Sequence, residues 1–208
     1  MYTGEGWTPV GTFGSLLIDI RERYHFKTHP PTRVQRTLSM IIRMNTDKFF
    51  TPLSIKAGRF YDYLNELVTK EHTWEKHFGF DAIPVDNRWI QADYALRSVD
   101  KLQPIRALGV LRVPPNSFYN FHRDSYRLST LNMLIKQEEG YCYFIEPRDD
   151  HYSDLIELVY EPRTYYMFNN QAIHGVINKS KPRYMLSLYF ENETKYSDLQ
   201  TKLASLKA

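Results

Sequence analysis

The chain has 208 residues, 27 Lys and Arg against 24 Asp and Glu, a formal net charge of +3 and one cysteine. That length suits one domain, or one core with a substantial N-terminal addition. The single cysteine excludes an internal disulfide and points to a reducing cytoplasm. No apolar run approaches the ~18 residues needed to span a bilayer. The basic residues are scattered among acids, so the charge neither calls for nucleic acid nor excludes it.

The opening Met1-Tyr-Thr-Gly-Glu-Gly lacks a basic region followed by an apolar core, so no secretory signal is expected. Residues 1–103 read as a mixed region with helix prominent, a support packed on a later core. Leu16 to Ile20 suits an added edge strand. Val34, Leu38, Ile41 and Ile42 make a helical stripe after Pro30-Pro31, and Phe60, Tyr63, Leu64, Leu67 and Val68 make another. His72 and His77 flank Trp74 near a helix end, where the helix dipole accounts for them. His25, His29 and His151 fall in polar loops, and none of these five is assigned to metal.

From 104 to 191 the pattern changes to short strands. They are Ile105 to Val113, Ser117 to His122, Leu128 to Ile135, Tyr141 to Ile145, Leu155 to Glu161, Tyr165 to Phe168, His174 to Asn178 and Tyr184 to Phe190. Pro114-Pro115-Asn116, Gly140 and Pro162 punctuate them. Eight short strands at this spacing predict a sandwich or closed barrel of the jelly-roll kind, mainly β with N-terminal α. Cys142 lies in an aromatic strand, as packing. In 192–208, Ser197 followed by Gln200 predicts a capping box opening a terminal helix that carries Leu203 and Leu206, a packing or homodimer element.

Within this region His122 and Asp124 stand one residue apart in Phe121-His122-Arg123-Asp124. His174 follows in Ala172-Ile173-His174-Gly175-Val176, and Arg183 comes nine residues after it. Two imidazoles and one carboxylate are the set that holds an open-faced Fe(II) in non-haem oxygenases. The trailing arginine is a planar fork suited to a carboxylate. Strand alternation puts Arg183, Met185, Ser187 and Tyr189 on one face of the last strand. Ser187 is then either a hydroxyl donor near the same carboxylate or a small packing residue. Asn132 shares a strand face with Leu128, Thr130 and Leu134, as a cosubstrate contact or as part of a core network.

The run Gly109-Val-Leu-Arg-Val-Pro-Pro, then His122-x-Asp124-x-x-Arg127 and Leu131-Asn132, resembles the Fe(II)/2-oxoglutarate oxygenases. So do Phe168-Asn169-Asn170 and His174-x-Val176-x-Asn178 with Arg183. The nearest branch is the aspartyl/asparaginyl and prolyl hydroxylase-like group. The resemblance covers roughly 104–191 and implies a double-stranded β-helix, jelly-roll and cupin-like, with helices buttressing it. It further implies Fe(II), 2-oxoglutarate and O2, with His122, Asp124 and His174 on the metal and Arg183 on the distal carboxylate of 2-oxoglutarate. Arg127 contacts either 2-oxoglutarate or substrate on this basis, and the Tyr119 hydroxyl reaches the cosubstrate. The activity implied is hydroxylation of an unactivated C–H bond of an amino acid or peptidyl side chain. The alternatives are a nucleobase as substrate, or a β-helix that binds a ligand without turnover.

Overall fold

A computed structural model describes residues 46–77, 79–136, 140–149 and 152–208. The expected strand at Leu16 to Ile20, the stripe at Val34 to Ile42, and His25, His29 and His151 lie outside the described residues.

The described residues form two antiparallel sheets. Strands are β1 (Phe50–Lys56), β2 (Glu75–Lys76), β3 (Asp81–Val85), β4 (Ile105–Val113), β5 (Ser117–His122), β6 (Ser129–Lys136), β7 (Gly140–Pro147), β8 (Ser153–Glu157), β9 (Thr164–Asn169), β10 (Ile173–Asn178) and β11 (Arg183–Phe190). The larger sheet has the order β1-β9-β6-β11-β4-β3-β2 and the smaller β5-β10-β7-β8. All eight strands expected from the sequence are present as β4 to β11, four in each sheet, which makes the jelly roll of a double-stranded β-helix.

Burial is nearly continuous along the central strands of the large sheet, as a sheet covered on both faces requires, while successive side chains go to opposite faces. Leu131, Met133, Met167, Leu186 and Leu188 point to an outer core. That core is closed by α1 (Arg59–Leu67), α2 (Arg88–Ala92), α3 (Tyr94–Asp100) and α4 (Tyr196–Lys202). Phe60 and Leu64 of the expected helical stripe are fully buried there, and Val68 is the C-cap of α1. His72 Nε2 meets the Leu67 carbonyl at the end of α1, 2.7 Å away. The inner face contributes Val113, Tyr166 and Phe168, which pack between the sheets against Phe144, Val176 and Cys142 of the smaller one.

Two expectations need correction, and the region before 104 contributes strands that were not placed: β1 pairs with β9, and β3 with β4. Pro52 and Pro84 break the alternating pattern that would have announced these strands, and Pro52 is tolerated because β1 is an edge. The strand expected to run from Leu155 to Glu161 is shorter, ending at Glu157. Past it Val159 is 70% exposed and the chain turns toward Pro162. Ser197 does not cap α4. The N-cap is Lys195, without a side-chain bond, and Ser197 lies inside the helix with its hydroxyl toward Asp198. Tyr196 and Leu199 of α4 are buried against the chain's own core, and the Tyr196 hydroxyl bonds Thr51 of β1 at 2.9 Å.

Asn178, at the end of β10, donates to the carbonyls of Val113, Pro114 and Lys181. This ties the β4–β5 turn to the start of β11. With that corner fixed, the far end of β5 and the near end of β10 lie side by side.

Candidate metal centre

A one-residue bulge makes the site. Along the β5–β10 ladder Val176 pairs with Tyr119, and an unbroken antiparallel register would next set His174 against Phe121. The register shifts instead, and His174 faces His122. A slip of one residue moves a side chain to the opposite face of a sheet. The bulge therefore brings both imidazoles to the same face, with ring centroids 4.5 Å apart.

Gly175 permits it. A Cβ there would come within 2.9 Å of the Phe121 ring and 3.1 Å of the Tyr119 carbonyl, both on β5. Gly175→Ala is expected to force β5 away from β10, at a cost of about 1–3 kcal/mol in the manner of an overpacked core. It should also weaken metal binding, because His122 rides on the displaced strand. A thermal melt of the metal-free protein and a metal titration check this, and wild-type values in both would show that the bulge tolerates a side chain.

The two histidines are oriented alike. His122 Nδ1 lies 2.6 Å from the Asn120 carbonyl, and His174 Nδ1 2.9 Å from that of Ala172. A carbonyl only accepts, so each Nδ1 carries the proton and donates it, leaving Nε2 with a bare lone pair. Both lone pairs are aimed at one oxygen: Asp124 Oδ1 is 3.2 Å from His122 Nε2 and 3.7 Å from His174 Nε2. His122 Nε2 is buried and makes no hydrogen bond of normal geometry. The three ligand atoms lie within 4.8 Å of one another.

Burial opposes the Asp124 charge most, yet the His122 contact, the Arg127 guanidinium, His174 and the Asn170 amide together hold its carboxyl at about 2. His174 is buried, and burial above all keeps its imidazole neutral, at about 4. Asp124 beside it raises His122 above the ordinary histidine value.

The loop carrying Asp124 is fixed from the β9–β10 turn. The Asp124 amide donates to the Asn170 carbonyl at 3.0 Å, and Asn170 Nδ2 donates to Oδ2 at 2.8 Å. Gln171 Nε2 reaches the carbonyls of Asp124 and Arg127, both at 2.9 Å. Asn170 stands in the run Phe168-Asn169-Asn170 of the resemblance without a role, and Gln171 carries no expectation. Asn169-Asn170-Gln171 looks like ordinary turn chemistry, and only its place four residues before His174 hints otherwise.

Arg183, Ser187 and Asn132 fall on the inner face, as strand alternation requires, while Tyr119 lies on β5 and Arg127 in the loop before β6. Arg183 is 1% exposed, with its guanidinium 5.1 Å from the centre of the Tyr160 ring. Burial pushes the nearby Cys142 thiol up to about 11 against the pull of the Arg183 charge. Ser187 and Asn132 are cross-strand partners, both buried, and Thr130 is two residues along β6 from Asn132. Asn132 Oδ1 and Thr130 Oγ1 are buried without hydrogen-bond partners. Thr130 had been read only as a neighbour of Asn132. Tyr119 packs edge-on against His122 at 4.5 Å, its ring pressed from behind by Gly79 and Phe80. Arg127 turns back onto Asp124, with Nε and Nη2 at 2.9 and 2.8 Å from Oδ2.

No protein-family model matches the chain, and no curated protein matches it by sequence. Solved structures share its fold. One is the prolyl hydroxylase of Trichoplax adhaerens in complex with a hypoxia-inducible-factor oxygen degradation domain peptide, 15% identical, with a TM-score of 0.50 over 84% of this chain and 97% of that one. Another is the non-haem α-ketoglutarate-dependent epimerase SnoN from nogalamycin biosynthesis, 12% identical, with a TM-score of 0.50 over 74% of this chain and 82% of that one. The chain thus has the double-stranded β-helix fold found in these proteins.

Proposed function

We propose that the protein is an Fe(II)- and 2-oxoglutarate-dependent oxygenase that hydroxylates an unactivated C–H bond of an amino acid or a peptidyl side chain. The observation that carries this reading is the convergence of two Nε2 lone pairs and one carboxylate oxygen within 4.8 Å. Three electron-pair donors facing one another repel unless a cation sits among them. Two imidazoles and one carboxylate suit non-haem Fe(II) with positions left open. The backbone carbonyls of Asn120 and Ala172 orient the ligands as metal-bound histidines are usually oriented.

The barrel interior suits 2-oxoglutarate. Arg183 offers a buried guanidinium for its distal carboxylate, and Asn132, Thr130 and Ser187 offer buried polar atoms along its length. When bound, iron and cosubstrate supply the oxidation: one atom of O2 goes to the substrate carbon and the other to succinate, with loss of CO2. The residues of the chain do the rest. His122, Asp124 and His174 take one face of the metal. Phe144 and Phe168 wall His174 with aromatic carbon, at centroid distances of 5.9 and 4.9 Å, which keeps water from that side.

Fold alone does not choose the reaction, since one fold-mate is called a hydroxylase and the other an epimerase. The intact carboxylate ligand and the peptide in the Trichoplax complex favour hydroxylation of an amino-acid unit. A reducing, cytoplasmic setting belongs to the proposal: the lone Cys142 is buried in the inner core. No helix among the described residues is long and apolar enough to cross a membrane.

Succinate release with Fe(II) and 2-oxoglutarate, screened over free amino acids, peptides and oligonucleotides, tests the reading. Stimulation by an amino acid or peptide, with a product heavier by one oxygen, is the expected result. Stimulation by oligonucleotides alone would transfer the site to a nucleobase. No stimulated succinate from a protein loaded with iron would leave a ligand-binding β-helix.

A further inference from the structure

We infer that Arg127 is a positioning residue that commits Asp124 to binding metal through a single oxygen. The inference rests on the reading above only in requiring a metal at His122, Asp124 and His174. The Oδ2 atom of Asp124 receives two hydrogen bonds, from Arg127 Nε at 2.9 Å and from Asn170 Nδ2 at 2.8 Å, and Arg127 Nη2 adds an ion-pair contact at 2.8 Å. A carboxylate oxygen has two lone-pair directions, so the two hydrogen bonds occupy it fully. What remains to face the imidazoles is Oδ1, at 3.2 and 3.7 Å from the two Nε2 atoms.

Arg127 is itself held at several points. Its Nη1 lies 3.4 Å from the buried Ser187 hydroxyl on β11, and its guanidinium stands 5.3 Å from the centre of the Tyr189 ring. Its carbonyl accepts from Gln171. The loop after β5, the β9–β10 turn and the strand β11 therefore meet on this one residue. In this arrangement the Arg127 guanidinium is engaged by Asp124 and the Ser187 hydroxyl, so Arg127 is not the contact for 2-oxoglutarate.

The consequence concerns open positions. In a six-coordinate metal, a carboxylate bound through both oxygens, with two imidazoles, leaves two positions open. Bound through one oxygen it leaves three, which is what two cosubstrate oxygens and O2 require together. An arginine fork is suited to this hold because Nε and Nη2 reach one oxygen side by side; a lysine offers charge without the fork.

Co(II), whose visible absorption reports coordination number, is the probe, titrated into the full-length protein without 2-oxoglutarate. Arg127→Ala should weaken Co(II) binding by roughly 10–100-fold, the usual scale for losing an outer-shell partner. It should also change the visible spectrum of the bound ion as Asp124 turns to bind through both oxygens. Arg127→Lys keeps the charge and preserves a merely electrostatic or structural role, yet should show the altered spectrum too. Circular dichroism of each metal-free variant reports the fold, and the lysine variant serves if the alanine variant unfolds. Wild-type affinity and spectrum in folded Arg127→Lys would overturn the inference. So would an unchanged Co(II) titration in Arg127→Ala accompanied by weakened 2-oxoglutarate binding, which would make Arg127 a cosubstrate contact. Wild-type protein that binds neither Co(II) nor Fe(II) would remove the oxygenase reading itself.

Discussion

Asp124→Asn is expected to lower Fe(II) affinity by more than the roughly 10–100-fold that follows loss of an outer-shell partner, and to abolish substrate-coupled succinate release. The change is nearly isosteric, so its effect is electronic. An asparagine brings no negative charge to the metal. Its amide must also choose between two bad arrangements: the NH2 group turned to the donors of Arg127 and Asn170, or the carbonyl turned there and the NH2 group facing the metal. Were Asp124 only a turn residue, the same variant would lose some stability and keep its turnover. The structure argues against that role, because the carboxylate is engaged by side chains from 127 and 170 and by two imidazoles. Iron stoichiometry and affinity, succinate release and the melting temperature of the metal-free variant separate the two. A stable Asp124→Asn protein with wild-type iron binding and turnover would remove the triad.

The convergence of His122, Asp124 and His174 was legible because these residue types carry their chemistry openly. Two histidines and an aspartate at strand ends, followed by an arginine opening an apolar strand, have few common reasons to recur in that order. Strands β4 to β11 were legible because Pro114-Pro115, Gly140 and Pro162 mark where ladders must stop. What escaped depends on partners distant in sequence. Strands β1 and β3 contain Pro52 and Pro84, which disguise them locally, and only β9 and β4 beside them make them strands. The β5–β10 bulge is a relation between Tyr119 and Val176, and no periodicity within either strand reports it. Arg127 illustrates the same limit. Counting back from Asn132 puts it on a strand face, but β6 begins only at Ser129, and Arg127 in the preceding loop turns to Asp124 three residues upstream. Asn170 shows in the sequence only as part of Phe168-Asn169-Asn170, and its role follows from the carboxylate it holds.

Arg183→Ala is expected to leave Fe(II) binding intact and to weaken 2-oxoglutarate binding strongly. The side chain opens β11 on the inner face, 1% exposed, above the Tyr160 ring. On the proposed reading its guanidinium takes the distal carboxylate of 2-oxoglutarate, gripped by a fork that a lysine would not reproduce. Truncating one side of a buried charged pair costs about 2–5 kcal/mol. At about 1.4 kcal/mol per factor of ten, the dissociation constant should rise by roughly thirtyfold to several thousandfold. Arg183 belongs to β11 whereas the proposed metal ligands belong to β5, the loop after it and β10, so the two variants are distinguishable: Arg183→Ala loses cosubstrate and keeps metal, whereas Asp124→Asn loses the metal itself. Calorimetric titration of 2-oxoglutarate into the metal-loaded variant makes the measurement, with metal content determined on the same sample. An unchanged dissociation constant would assign the carboxylate to another cation. Because Arg127 is already engaged with Asp124, that outcome would also count against its role as a clamp.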